Sequence, residues 1–226
     1  MERRDLLSPG QPDGLITEAD IRARFLRRTG QPGRIIGVRG DHEGNPGLGV
    51  PAELREAAVL VPLIDRDAGV TVLLTQRTAH LAAHAGQISF PGGGVEPADN
   101  GPEDTALRET EEEVGLPRTK VDLIGRLDTY VTRTGFRVTP VVGIIRPPFT
   151  LSADPYEVAD VFEVPLAFIL GPGGRERRSA EFRGALRHFW VVPYRDRFIW
   201  GATAGMLVNL CEVLSGEGAD PAAQPA

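Results

Sequence analysis

The spacing of apolar positions changes several times along the chain. In Ile16–Arg28, Ile21, Phe25 and Leu26 recur at helical spacing behind Thr17, a residue suited to capping a helix start. The following QPGRIIGVRGDHEGNPGLGVP is rich in turn formers and predicts a loop. From Ala57 the pattern becomes strand-like. AAVLVPLI (Ala57–Ile64) and GVTVLLTQR (Gly69–Arg77) are near-continuous apolar runs joined by a hairpin-like DRDAG. QISF (Gln87–Phe90) predicts a short strand before a glycine turn, and Pro102–Val114 a helix. KVDLIGRLDTYV and RVTPVVGIIR read as strands, DVFEVPLAFIL as a strand passing into a short helix, and GPGGRERRSAEFRG as a polar loop. HFWVVPY predicts a further strand and GATAGMLVNLCEVL a closing helix. There is no internal repeat. Helices and strands do not alternate as βαβ units, so the pattern predicts one α+β domain on a mixed sheet. It is expected to span residues 51–215, with a helix and arm over 1–50 packed against it and a Gly/Ala/Pro-rich disordered tail at 216–226.

Composition narrows the partners. A formal charge of −6 argues against general nucleic-acid or anionic-membrane binding, so an anionic small-molecule substrate would need bridging cations or local arginines. The single cysteine, Cys211, forms no intrachain disulfide, which suits a reducing cytosol. It lies in an apolar helical pattern and reads as core. No run approaches the roughly 20 apolar residues of a membrane span, and the N-terminus lacks a signal-peptide core. A cytoplasmic protein is expected, and a homodimer is compatible with the sequence.

The helix over Pro102–Val114 carries unusual charge: Glu109, Glu111, Glu112 and Glu113 fall within five positions, where like charges at helical spacing repel. Asn100 or Gly101 suits the cap, Pro102 the first turn and Gly115 the position after the last. Glu109, Glu112 and Glu113 fall within an arc of roughly 100°, and Glu111 points away. Ala106, Thr110 and Val114 form the neighbouring stripe that would pack on the sheet. An acid run is commonly a solvated helix face. Here, however, the acids abut the buried stripe and follow glycines, Gly92, Gly93 and Gly94, whose backbone N–H groups could face an anion. Clustered oxygen ligands without Cys or nearby His select Mg²⁺ or Mn²⁺, which would offset the repulsion. Arg108 could fix a carboxylate by bidentate hydrogen bonds.

Gly94 followed by Arg108-Glu109-x-x-Glu112-Glu113-x-Gly115-Leu116 resembles the Nudix box. That resemblance implies an α/β/α-sandwich Nudix fold with a loop-helix-loop catalytic motif. It implies a metal-dependent hydrolase of nucleoside diphosphate derivatives, with Glu109, Glu112 and Glu113 as metal ligands and Arg108 orienting them. Two positions depart from the pattern. Asn100 stands at the box's first glutamate, with Asp99 or Glu103 available to substitute, and Thr110 stands where an aliphatic residue is usual.

LLTQRTAHLAAHAGQISFPGG (Leu73–Gly93) and IWGATAGMLVNL (Ile199–Leu210) resemble signatures of the coenzyme A pyrophosphatase subfamily. That likeness implies cleavage of CoA or its derivatives to 3′,5′-ADP and 4′-phosphopantetheine. Displacement of the first box acid to Asp99 fits it, whereas Ala82 replaces a subfamily arginine. Alternatives are a Nudix hydrolase of ADP-ribose, a dinucleotide or an oxidised nucleotide, or a non-catalytic nucleotide sensor. Arg77 contacts a phosphate or sits in a surface ion pair, and His84 contacts substrate or is structural. Gln87 bonds substrate or faces solvent, while Ser89 and Phe90 read as strand residues. Arg175, Arg177, Arg178, Arg183 and Arg187 form either a clamp for the phosphates of CoA or, more simply, a charged mobile hairpin. A general base is also required. Glu112 serves if metal does not fully engage it, and Glu157 is the second candidate, otherwise an ordinary loop acid. Glu163 is expected on the following strand.

Overall fold

The computed structural model describes residues 16–29, 37–45, 47–80, 85–182 and 184–216. Its main sheet contains β1 (Val38–Gly40), β2 (Arg55–Ile64), β3 (Thr71–Arg77), β4 (Ile88–Ser89), β5 (Gly92–Gly94), β6 (Val121–Arg126), β7 (Thr129–Val131), β8 (Phe136–Ile145) and β9 (Val158–Pro165). The strand order is β1-β7-β8-β2-β3-β4, with β5 also pairing β2, β6 pairing β8, and β9 pairing β3. Only β2–β8 and β1–β7 are parallel, so the sheet is mixed, as expected.

The unbroken apolar run of β2 reflects a strand covered on both faces. Ala58 and Leu60 pack in a cluster with Ala106 of the helix α2 (Pro102–Val114). Val61 and Leu63 instead join the main core with Ile21 and Phe25 of α1 (Glu18–Thr29) and Leu207 and Leu210 of α4 (Gly201–Ser215). Helices thus lie on both sides of the sheet. Thr17 caps α1, its hydroxyl accepting from the Asp20 N–H at 3.2 Å while Asp20 accepts from the Thr17 N–H at 3.0 Å. The helix α4 is apolar almost all round because it packs into the main core and against α1, the short α3 (Leu166–Leu170) and the strand Ala185–Tyr194. Cys211 is buried within it, as predicted.

Strand signals fell short where strands lack apolar alternation. The predicted polar loop over Gly171–Gly184 contains β10 (Glu176–Phe182), which pairs β11 (Ala185–Tyr194), and β12 (Arg197–Trp200) completes a separate three-stranded sheet. Most of β10 is exposed, so no buried face marks it in the sequence. The turn-rich segment before Ala57 holds β1, and KVDLIGRLDTYV divides into β6 and β7. The glycine turn is also a strand, β5, laddered to Ala57–Val59. Residues 217–226 of the expected tail lie outside the described residues.

A buried ionic knot ties the arm to this frame. Asp128 accepts from Arg28, from Arg39 Nε at 2.9 Å, from the Gly37 N–H at 2.9 Å and from Asn209 Nδ2 at 3.0 Å. Burial opposes ionisation of Asp128, but these donors outweigh it and hold the carboxyl below the usual range. Replacing Asp128 with Ala would leave the buried Arg28 without this partner. The expected cost is about 3 kcal/mol of unfolding free energy, read from urea denaturation.

Candidate active site

The helix α2 forms where the sequence places its boundaries. Gly101 precedes Pro102 at the first turn, and Gly115 ends the helix at φ 65°, its N–H donating to Glu111 O at 3.0 Å. The buried face consists of Thr105, Ala106, Thr110, Glu113 and Val114. Thr110 replaces an aliphatic residue without stranding a polar group, because its hydroxyl donates to Ala106 O at 2.6 Å. Glu111 turns outward to Arg118, at 3.2 Å.

The glycines of β5 let α2 approach the sheet. A Cβ on Gly92 would lie 2.4 Å from Ala58 O, and one on Gly93 would lie 2.4 Å from the Glu109 carboxyl carbon. The Gly92 N–H donates to Glu113 Oε2 at 3.2 Å. Gly93 and Gly94 ladder with Ala58 and Ala57. The glycines thus form a strand rather than the expected turn, and the Gly92 N–H faces the Glu113 carboxylate. The strand instead cradles the acids, and Gly94 O accepts from Arg108 Nη2 at 3.1 Å.

Arg108 is the hub. It holds Asp99 through Nε at 2.9 Å and Nη2 at 3.1 Å, while its Nη1 bridges Glu109 Oε1 and Glu112 Oε2, each at 3.0 Å. Asp99 also accepts from Thr105 Oγ1 at 2.8 Å and the Glu96 N–H at 2.9 Å. Arg108 keeps the Asp99 carboxyl well below the ordinary carboxylate range. Asp99, rather than Asn100, is therefore the acid paired with Arg108. Glu103 does not, because it pairs with Arg126 at 2.6 Å.

The three acids differ in environment. Glu113 is 5% exposed, and burial pushes its carboxyl up to about 7 despite the Gly92 N–H and Arg77. Burial also raises Glu109, against the pull of Arg108. Glu112 is exposed. Arg77 Nη1 stands 3.5 Å from Glu113 Oε1, and its Nη2 stands 3.9 Å from Glu157 Oε2. Glu157 is brought there by two anchors on its turn. The Asp154 N–H donates to Glu113 O at 2.9 Å, and the Thr78 N–H donates to Glu157 O at 2.9 Å. Asp154, Thr78 and Thr105 were not foreseen, since their roles are set by tertiary contacts that leave no local signal.

Other candidates are placed elsewhere or lie beyond view. Glu163 binds Arg66 at 2.6 Å and Thr71. Gln87 lends its backbone carbonyl to the Arg77 N–H at 2.9 Å, Ser89 approaches Thr75, and Phe90 is core. Arg175 donates to Ile169 O at 3.1 Å and Arg178 pairs with Glu176 at 2.6 Å, while Arg177 and Arg187 stand on β10 and β11. His84, Ala82 and Arg183 lie outside the described residues.

Among the described residues, no group of three His, Cys, Asp or Glu side chains is already arranged to hold an ion. The reason is visible: Arg108 Nη1 occupies the span between Glu109 and Glu112. The donor set nonetheless fits Mg²⁺ or Mn²⁺. It is all oxygen, Glu113 is buried at a cost that a cation would offset, and Gly93 leaves room where a Cβ would strike Glu109. A guanidinium bonded to Glu109 and Glu112 competes with a cation for those carboxylates.

A family model described as the NUDIX domain matches residues 54–181. The chain is 46% identical over 156 residues to the "Uncharacterized Nudix hydrolase NudL" of Escherichia coli O7:K1, covering 69% of this chain and 81% of that protein. Its identity to the protein of the same name from E. coli K12 is 45% over 156 residues, with the same 69% and 81% coverage. Among solved structures it resembles a Nudix hydrolase from M. smegmatis, RenU, at TM-score 0.44 and 22% identity, over 51% of this chain and 73% of that one.

Two outcomes are expected. Gly93→Ala should displace the Glu109 carboxylate, the flexible end of a side chain, rather than break the sheet. Mn²⁺ affinity should drop by roughly tenfold or more, with melting of the metal-free protein little changed; calorimetric titration checks it. A carboxyl raised from 4.5 to about 7 on folding contributes stability below about 4.5 that is lost as pH rises through about 7. In EDTA, wild type should therefore lose about 3 kcal/mol relative to Glu113→Gln across that window, measured by urea unfolding at each pH.

Proposed function

The chain belongs to the Nudix hydrolase family, and we propose that it cleaves the diphosphate of coenzyme A or its derivatives to 3′,5′-ADP and 4′-phosphopantetheine. Family membership makes it a pyrophosphohydrolase; the CoA substrate is our own reading. One observation carries that reading. The Leu73–Gly93 segment resembling the CoA pyrophosphatase signature supplies both Arg77 and Gly92, which contact Glu113. The second resembling segment touches the first, since Thr203 Oγ1 donates to Ile88 O at 3.0 Å.

In this reading Glu109, Glu112 and Glu113 hold Mg²⁺ or Mn²⁺. A divalent cation so held neutralises the diphosphate and lowers the pKa of water. The protein's own groups do the rest. Arg108, braced by Asp99, orients the acids, and Arg77 faces a phosphate. Glu157, across Arg77 from Glu113, takes the proton of the attacking water. The water oxygen bonds to one phosphorus in line as the bridging oxygen leaves with the other phosphate. Glu112 is the other candidate for base, but its bond to Arg108 beside Glu109 favours a ligand role. The acids and arginines bind a small molecule, in keeping with a cytoplasmic enzyme that uses neither nucleic acid nor membrane. No helix among the described residues is long and apolar enough to cross a membrane.

Incubation with CoA and Mg²⁺ or Mn²⁺ should release 3′,5′-ADP, identified by chromatography and mass. Turnover of ADP-ribose or a dinucleotide but not CoA would overturn the substrate. Glu157→Gln should lower kcat by about 100-fold or more with Mn²⁺ affinity retained, while Glu112→Gln should lower both.

A further inference from the structure

Beside the acids stands an aromatic pair that no role above uses. Tyr156 is 65% exposed, yet its ring meets that of His80 at 4.8 Å between centroids with planes at 60°. Single exposed aromatics are ordinary on a surface. This one is unusual for how firmly it is held and where. Thr78 Oγ1 donates to Tyr156 O at 2.8 Å, and the Tyr156 N–H donates to Asp154 Oδ1 at 2.8 Å. The neighbouring bonds of Asp154 to Glu113 O and of Thr78 to Glu157 O tie the same turn to α2 and to the end of β3. Tyr156 directly precedes Glu157, one of the two acids that flank Arg77. The His80 edge contact limits the ring's rotation while most of the residue stays open to water.

We propose that the Tyr156 ring is a stacking platform for the planar base of a nucleoside diphosphate, with His80 as its buttress. The proposal rests on the reading that the diphosphate lies against Arg77 and the α2 acids. Consecutive Cα atoms are about 3.8 Å apart, so Tyr156 stands next to the acid that flanks Arg77. Stacking uses the π face that every base has, so the platform supplies affinity for the nucleoside half without choosing among bases. It fits the chemistry of the site: the acids and Arg77 bind charge, and nothing else so far described binds an uncharged flat ring. Tyr156 is a positioning residue and takes no part in proton transfer.

The test uses the full chain loaded with Ca²⁺, titrated calorimetrically with ADP and separately with inorganic pyrophosphate, which lacks a base. Tyr156→Ala should weaken ADP roughly tenfold and leave pyrophosphate unchanged, while Tyr156→Phe keeps the ring and the affinity. The adenine H2 and H8 resonances of bound ADP should move upfield with wild type and Tyr156→Phe, and not with Tyr156→Ala. A loss of folding does not produce that pattern across the two ligands. Equal weakening of both ligands, no effect on either, absence of ADP binding, or no upfield movement with wild type overturns the platform. Turnover of CoA is measured separately, so failure of the substrate reading leaves this result intact.

Discussion

The structure around the site depends on the burial of one carboxylate. Glu113 belongs to the stripe of α2 that packs on the sheet, so the helix can seat itself only by taking an acid out of water. Burying a charge without compensation is expensive. Gly92 and Arg77 supply part of the compensation, and the carboxyl remains raised to about 7. The glycine strand is the other half of the same constraint. Any side chain at Gly92 would meet the β2 backbone, and one at Gly93 would meet Glu109. Helix, strand and acid are therefore one device, and in the proposed reading a bound cation would offset the cost of burying Glu113.

Arg108 sets the resting state of that device. Its two bonds to Asp99 fix the guanidinium, and its remaining nitrogen holds Glu109 and Glu112 together despite their like charge. Exposed ion pairs contribute little, but this network is anchored on a nearly buried Asp99 and on Gly94 O. The same nitrogen competes with a cation for these carboxylates, so in the proposed reading loading the site would loosen its hold on them. On the far face of the sheet, the knot of Arg28, Arg39 and Asp128 holds the N-terminal helix against the frame.

Much of this was legible because the physics is local. The bounds of α2 follow from Pro102 and Gly115, and Glu113 lies about 20° from Ala106 on the helical wheel, at the edge of the stripe that packs on the sheet. The apolar run Ala57–Ile64 marked a strand, and its cover on both faces came with the structure. What stayed hidden is tertiary. Asp99 over Glu103 is decided by where Arg126 stands, since both acids are within reach by sequence. Glu157 gains its place from Thr78 and Asp154, through bonds between segments far apart in the chain. The strand β5 has no side chains to show a period, and β10 no buried face, so neither could be read as a strand. Each is made a strand by its partner.

In the proposed reading the α2 acids jointly grip a divalent ion. Anomalous diffraction from a crystal soaked in MnCl₂ tests it most directly. The account predicts a manganese peak in contact with Glu113 and at least one of Glu109 and Glu112, with Arg108 released from the ligating acids but still paired with Asp99. Acids still bound to Arg108, with no manganese between them at saturating concentration, would contradict it.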